Sequence, residues 1–260
     1  SVASVVGIPL GLLIAEYIES SWTFFSISIL SIVILLSALY ILPKIPLGLK
    51  KRKPIEVLKR YLSISINPMY FKGYLLIFTA AFTMFILIPY LAPYAVKNCL
   101  IPTSGMKYMY FFGGAATVFT ARLFGKLTDQ IGPLKMYTFL VIASIIPISI
   151  YTHAGPMELT SYILMGTLFM TLVTGRMIPC MTLISAIPST HDRGSFLVLL
   201  NSFRSLGSAL ATFIGGLIIV EENNRFFHFE KSGYLSILLL LLSLLLAWNI
   251  YRKKHIFEKV

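Results

Sequence analysis

The 260-residue chain is 57% hydrophobic, has a mean hydropathy of +0.83 and carries only 12% charged residues, against roughly 25% in a soluble domain. That balance excludes an ordinary soluble domain and marks an integral membrane protein before any motif is read. The net charge of +12 does not point to nucleic acid: the bases cluster at the ends of apolar segments, where they set topology, and no polar segment interleaves them with stacking aromatics.

Apolar stretches long enough to cross a bilayer, at about 1.5 Å per residue, fall at 1–18, 22–42, 71–96, 106–124, 134–152, 160–186, 195–220 and 233–251. The fold class expected is an all-α membrane protein with eight transmembrane helices. The chain begins at Ser1, already inside an apolar segment and with no visible signal peptide, and reads as a fragment that has lost its N-terminal part. Between the second and third crossings lies a basic linker from Lys44 to about Ser65. There Ile55, Leu58 and Leu62 fall at helical spacing among Lys and Arg, which suits either an amphipathic helix on the inner surface or a solvated basic loop.

Orientation follows from the bases. With the linker inside, Lys72, Lys126, Lys135, Arg193 and the tail bases Arg252, Lys253, Lys254 and Lys259 also fall inside. Lys97, Lys107, Arg225 and Lys231 fall outside, and Arg122, Arg176 and Arg204 lie at membrane depth. Eight alternating crossings satisfy this asymmetry and place the C-terminus in the cytoplasm.

Prolines punctuate the helices at Pro9, Pro89, Pro93, Pro147 and Pro179. Each removes a backbone donor and bends its helix, a break that survives where neighbours or a cavity satisfy the freed carbonyls. Small residues at Gly7, Gly11, Gly207, Ser208, Ala209, Gly215 and Gly216 mark close helix contacts. The first two crossings share this pattern with the last two, a weak internal repeat of the parallel kind. The polar stretch from Gly125 to Lys135 reads as a tight inner hairpin in which Asp129 caps the following helix.

Cys99 and Cys180 lie in unrelated segments, and His153, His191, His228 and His255 are scattered over loops and the tail. None of these has metal-ligand spacing, so neither a metal nor a cofactor is expected. No constellation of nucleophile and base falls at one membrane depth, which argues against an enzyme. The carboxylates fall at or beyond the two faces; Glu16 is the one weak candidate for a proton carrier.

The spacing Gly125, Asp129, Gly132, Lys135 resembles the loop motif of the major facilitator superfamily, with Gln130 where the motif has a base. Gly7-Ile8-Pro9-Leu10-Gly11, followed by Trp22 and Phe25, resembles the fifth helix of that family and its sequel, with Thr23 in place of the Arg. The stretch from Ile88 to Tyr94 is similar to the seventh helix of its sugar and drug efflux branch. Gly175-Arg176-Met177-Ile178-Pro179, and then Asp192-Arg193-Gly194-Ser195-Phe196, are similar to the tenth helix and the loop to the eleventh. The resemblance spans the chain and maps its crossings onto helices five to twelve of a twelve-helix fold. It implies that 1–43 are the last two helices of the N-terminal bundle, 44–70 the cytoplasmic linker and 71–260 the six-helix C-terminal bundle.

The resemblance also implies an alternating-access transporter in the inner (plasma) membrane, monomeric when complete, that exports amphipathic drugs or sugars in exchange for protons. An importing symporter is the first competitor and a non-transporting membrane scaffold a remote one. Gly125, Asp129, Gly132 and Lys135 would form a conformational-switch loop near Ser1–Ser4, and Asp192, Arg193 and Gly194 a second inner loop. Gly7, Pro9 and Gly11 would pack helices. Arg176, Asn201 and Arg204 are candidates for the cavity, joined by Tyr90 and Tyr94, which flank the break in their helix. Plainer readings stand beside these: snorkelling or bonding to broken-helix carbonyls near Pro179 for Arg176, snorkelling for Arg204 and Arg122, and helix packing for the tyrosines.

Overall fold

The computed structural model describes residues 20–41 and 54–257. Helix α1 (Ser20–Ile41) is followed by α2 (Pro54–Ile66), the linker helix; α3 (Pro68–Phe85) and α4 (Ile88–Lys97) are two halves of one crossing. Then come α5 (Met106–Ile131), α6 (Pro133–Thr152), and α7 (Leu159–Gly175) with α8 (Met177–Ser185), again two halves of one crossing. Helix α9 (Arg193–Ile218), the hairpin β1 (Val220–Glu222) and β2 (Arg225–Phe227), and α10 (Phe229–Phe257) complete the order. Among the described residues six segments are long and apolar enough to cross a membrane: Phe24–Ile41, Pro68–Lys97, Pro133–Thr152, Leu159–Ser185, Arg193–Ile218 and Phe229–Arg252. The expected crossing at 1–18 and the packing motif Gly7, Pro9 and Gly11 lie outside the described residues.

The crossing expected at 106–124 exists as α5 but is not among those six. Its lower hydropathy comes from Lys107, Arg122, Lys126 and Asp129 toward its ends and from threonines at 117, 120 and 128, of which Thr117 and Thr120 border a groove.

Local sequence sets the helix limits. At the start of α3 the Asn67 side chain accepts from the amides of Met69 and Tyr70 at 2.9 and 3.3 Å, with Pro68 in the first turn. Helix α3 stops at Phe85, four residues before Pro89, and α7 stops at Gly175, four before Pro179. In each case the proline has no amide hydrogen for that carbonyl.

Packing proceeds from helix to helix in a row: α9 on α3, α3 on α8, and α7 on α5, with α6 and α10 behind them. The α3–α9 seam is the tightest. A Cβ on Gly207 would stand 2.6 Å from the Phe78 carbonyl oxygen, so only glycine permits this approach. Beside it the Tyr74 ring stacks between Phe203 and Phe196, both at 5.0 Å. Polar ties hold the back layer. Tyr137 and Ser243 hydroxyls share a hydrogen bond at 2.8 Å, and Ser236 donates to the Thr83 carbonyl at 2.8 Å.

The outer surface is apolar. Phe119, Phe139, Leu164, Phe213 and Leu245 all stand exposed, and on α1 every described side chain except Ala38 is exposed. An apolar surface this extensive belongs in lipid or against further helices. The molecule is an all-α membrane protein.

Candidate functional site: a groove between two helices and the helix breaks beside it

Helices α5 and α7 face each other across a groove. Thr117 and Thr120 line it from α5, Thr171 and Thr174 from α7, each pair three residues apart and so on one helix face. Its volume is about 220 Å³. Three of these hydroxyls are committed as donors to their own helix: Thr117 to Gly114 at 2.6 Å, Thr120 to Ala116 at 2.8 Å and Thr174 to Met170. What they leave toward the groove is acceptor capacity.

Met170 and Thr174 are shared with a second, apolar pocket of about 190 Å³. Met84 and Ile88 line it from the α3–α4 break, Tyr110 from α5, Tyr151 from α6 and Phe169 from α7. No acidic or basic side chain lines either compartment. The two threonine pairs are visible in the sequence as hydroxyls at helical spacing in two apolar segments.

Arg176 is the largest fully buried side chain, at 0% exposure. It caps the C-terminal end of α7 and turns into the interior of the bundle rather than toward the groove. One terminal nitrogen donates to the Thr83 hydroxyl at 2.9 Å, the other to the Ser144 hydroxyl at 3.4 Å, and Nε has no partner. Arg176, expected at the cavity from its depth in the sequence, is buried among α3, α6 and α7.

The two tyrosines beside the α3–α4 break are packing residues. Tyr94 is buried, donates to the Ala154 carbonyl at 2.8 Å and lies 4.5 Å from the Phe229 ring. Tyr90 donates to the Thr212 carbonyl at 3.0 Å, against Gly215 and Gly216 of α9. Neither lines the groove or the apolar pocket. Asn201 and Arg204 stand exposed on α9 and form no hydrogen bond or ion pair among the described residues. Arg122 is likewise exposed, near the inner end of α5.

The loop expected from Gly125 to Lys135 is mostly helix. Helix α5 runs through Ile131, so Gly125 and Asp129 are helical, and the turn is the single residue Gly132, at φ 92°, ψ 147°. Asp129 therefore occupies the last turn of α5 and does not cap α6, which starts at Pro133. It is exposed, as is Lys135, and neither forms a hydrogen bond or ion pair among the described residues. The expected contact with Ser1–Ser4 lies outside them.

The second inner loop is different. Asp192 accepts from Tyr70 at 3.1 Å, from Ser189 at 3.2 Å and from Arg60 at 3.4 Å, with His191 at 3.2 Å. Arg60 also donates to the His191 carbonyl at 2.7 Å. These contacts tie the linker helix α2 to the start of α9. Partial desolvation pushes the Asp192 carboxyl up, but the hydrogen bonds from His191, Tyr70 and Ser189 outweigh it and hold the group below its ordinary value. Arg193 and Gly194, the neighbours singled out with Asp192, are exposed in the first turn of α9. Arg60, Tyr70 and Ser189 were not foreseen, since they converge on Asp192 from three segments.

On the opposite side, the hairpin between α9 and α10 grips the end of α4. The Asn98 side chain donates to the Phe226 carbonyl at 2.8 Å and accepts from the Phe226 amide at 2.9 Å. Lys97 pairs with Glu221 and sits 4.8 Å over the Phe226 ring. Asn223 and Asn224, both at positive φ, form the turn.

No curated protein matches the chain. A family model described as Major Facilitator Superfamily matches residues 1–212, which takes in the linker, both broken crossings, the groove and most of α9. By that match, and by a helical membrane fold that accommodates it, the chain belongs to the major facilitator superfamily, a family of secondary transporters of small solutes.

Proposed function

We propose that the protein exports uncharged amphipathic solutes, drug-like or sugar-like, in exchange for protons. Export and proton exchange rest on the resemblance to the efflux branch; the solute class rests on the two-part groove, a hydroxyl-lined compartment beside an apolar one, with no acidic or basic lining side chain among the described residues. An apolar cavity of about 150 Å³ is large enough for benzene, so the apolar part, at about 190 Å³, suits one ring or a short branched alkyl group. The threonine acceptors suit a solute that brings its own O–H or N–H donors.

Transport proceeds by alternating access, with 71–260 rocking as a bundle against 1–43 and the N-terminal helices expected before them, joined by the linker 44–70. The protein works as a monomer in the inner (plasma) membrane with its C-terminus in the cytoplasm. Among the described residues every carboxylate lies outside the buried interior; on this reading the proton carrier belongs to the N-terminal bundle. Gly125, Asp129, Gly132 and Lys135 act on the switch between states from the inner end of α5.

The test is transport by the full-length protein in liposomes with an imposed pH gradient, using a hydroxylated aromatic probe. Export coupled to inward proton flow is expected. The combined Thr117→Val and Thr174→Val variant is expected to raise KM about tenfold, the equivalent of one lost hydrogen bond of about 1.4 kcal/mol. Probe movement indifferent to the pH gradient sinks proton coupling, accumulation with inward proton flow shows an importer, and an unchanged KM removes the groove as the binding site.

A further inference from the structure

The seam between α5 and α7 is keyed by glycines, and one side chain in it divides the solute groove. A Cβ on Gly113 of α5 would stand 2.5 Å from Sδ of Met170 and 3.4 Å from its Cβ and Cγ, so the Met170 side chain lies in a notch that a side chain at 113 would close. One turn toward the start of both helices the arrangement is reversed: Met109 of α5 lies over Gly166 of α7, its Sδ 2.9 Å from where a Cβ would be. Farther along, the Phe124 ring lies on Gly175, its Cε2 at 2.5 Å from a Cβ placed there. These contacts follow in the same order along both helices, which therefore run parallel.

Met170 differs from Met109 and Phe124 in what it borders. It lines both the threonine groove and the apolar pocket, whereas Met109 lines only the apolar pocket and Phe124 neither. Met109 and Phe124 are buried, while Met170 is half-buried. Thr174, which also lines both compartments, donates to the Met170 carbonyl, so the backbone here is held. The side chain is not: an unbranched thioether repacks readily, and leaving the Gly113 notch breaks no hydrogen bond.

We propose that Met170 is the specificity-determining residue of the groove. Seated on Gly113, its side chain parts the two compartments. Swung off it, the compartments join and take a single solute, with its O–H donors on the threonines and its ring or alkyl chain in the apolar part. The inference rests on the reading of this groove as the solute site. It adds that the length of the apolar part accepted is set by the thioether and not by the threonines.

The test is binding of uncharged para-alkylphenols, methyl to pentyl, to the full-length protein in lipid nanodiscs, measured by calorimetry against empty nanodiscs. Met170→Ala is expected to go on gaining about fourfold in affinity per added methylene beyond the chain length at which wild type levels off. Gly113→Ala, whose new methyl group evicts the thioether into the compartments it borders, is expected to weaken every member about fivefold or more. The double variant Gly113→Ala, Met170→Ala is expected to recover that loss. A wild-type chain-length dependence in Met170→Ala overturns the proposal, as do wild-type affinities in Gly113→Ala or a double variant that binds no better than Gly113→Ala. The two single variants shift affinity in opposite directions, which a general loss of packing does not imitate. If Met170→Ala yields no folded protein, Met170→Val takes its place in the same comparison. The combined Thr117→Val and Thr174→Val variant tells two failures apart. If it weakens the series while Met170→Ala changes nothing, the groove stands and the partition falls. If it leaves the series unchanged, the groove reading fails and this inference with it.

Discussion

Asp129 in the last turn of α5 and Asp192 just before α9 stand on the same side of the bundle, and among the described residues only Asp192 is built into the fold. Asp129 belongs to the motif that identifies the family, yet it stands exposed on the last turn of α5 without a partner among the described residues. Asp192 belongs to a less distinctive stretch, yet Tyr70, Ser189, Arg60 and His191 all reach it. A recognisable pattern and a structural hub are separate properties. Asp129 has no fixed contact among the described residues, while Asp192, which anchors the linker helix, has its contacts satisfied.

Substitution separates the two. Asp192→Ala is expected to have the largest effect. It leaves the Tyr70 and Ser189 hydroxyls and the Arg60 guanidinium without their shared acceptor, and the melting temperature should fall by about 4 °C or more, with hydrogen exchange across 54–66 rising. A fall no greater than that of Asp129→Ala breaks the contrast.

Gly132→Ala comes next. Its backbone, at φ 92° and ψ 147°, is in a region that only glycine enters readily, so any side chain costs about 1–3 kcal/mol. The α5–α6 turn then depends on its glycine and not on its aspartate, which chemical denaturation of the variant measures.

Tyr70→Phe removes one hydrogen bond to Asp192 and is expected to cost about 0.5–1.5 kcal/mol in the same measurement. Acid should act on this loop as well. Because the folded carboxyl of Asp192 is held below its unfolded value, its contribution is complete above the ordinary carboxylate range and disappears as pH falls through the lower folded value. Wild type should lose stability below about pH 4 by a component that Asp192→Asn lacks, and equal acid profiles for the two would discount the anchor. Asp129→Ala is the smallest: stability within about 0.5 kcal/mol of wild type, with any effect confined to the rate of transport.

The crossings and their breaks were legible because each is written in a local signal. Hydropathy marked the six spans found among the described residues, and Pro89 and Pro179 marked the two broken helices. What was not legible depends on partners far apart in the chain. Arg176 looked like a cavity residue because depth in a sequence says nothing about which way a helix face turns; its burial needs Thr83 and Ser144, supplied by two other helices. Arg60 and Asp192 are 132 positions apart, and no periodicity joins them. The stretch from Gly125 to Lys135 was read as a loop because it is polar, but polar residues at a membrane face continue a helix as readily as they end it. Gly132 alone carried the stop.

The hairpin over the outer end of α4 limits how this half of the protein can open. Asn98 exchanges two hydrogen bonds with one residue of the hairpin, and that hairpin is continuous with both α9 and α10. Swinging α4 away by itself would tear both bonds and the neighbouring Lys97–Glu221 pair together. The ends of these three helices are therefore held as one unit, and displacing any one of them costs contacts that serve all three.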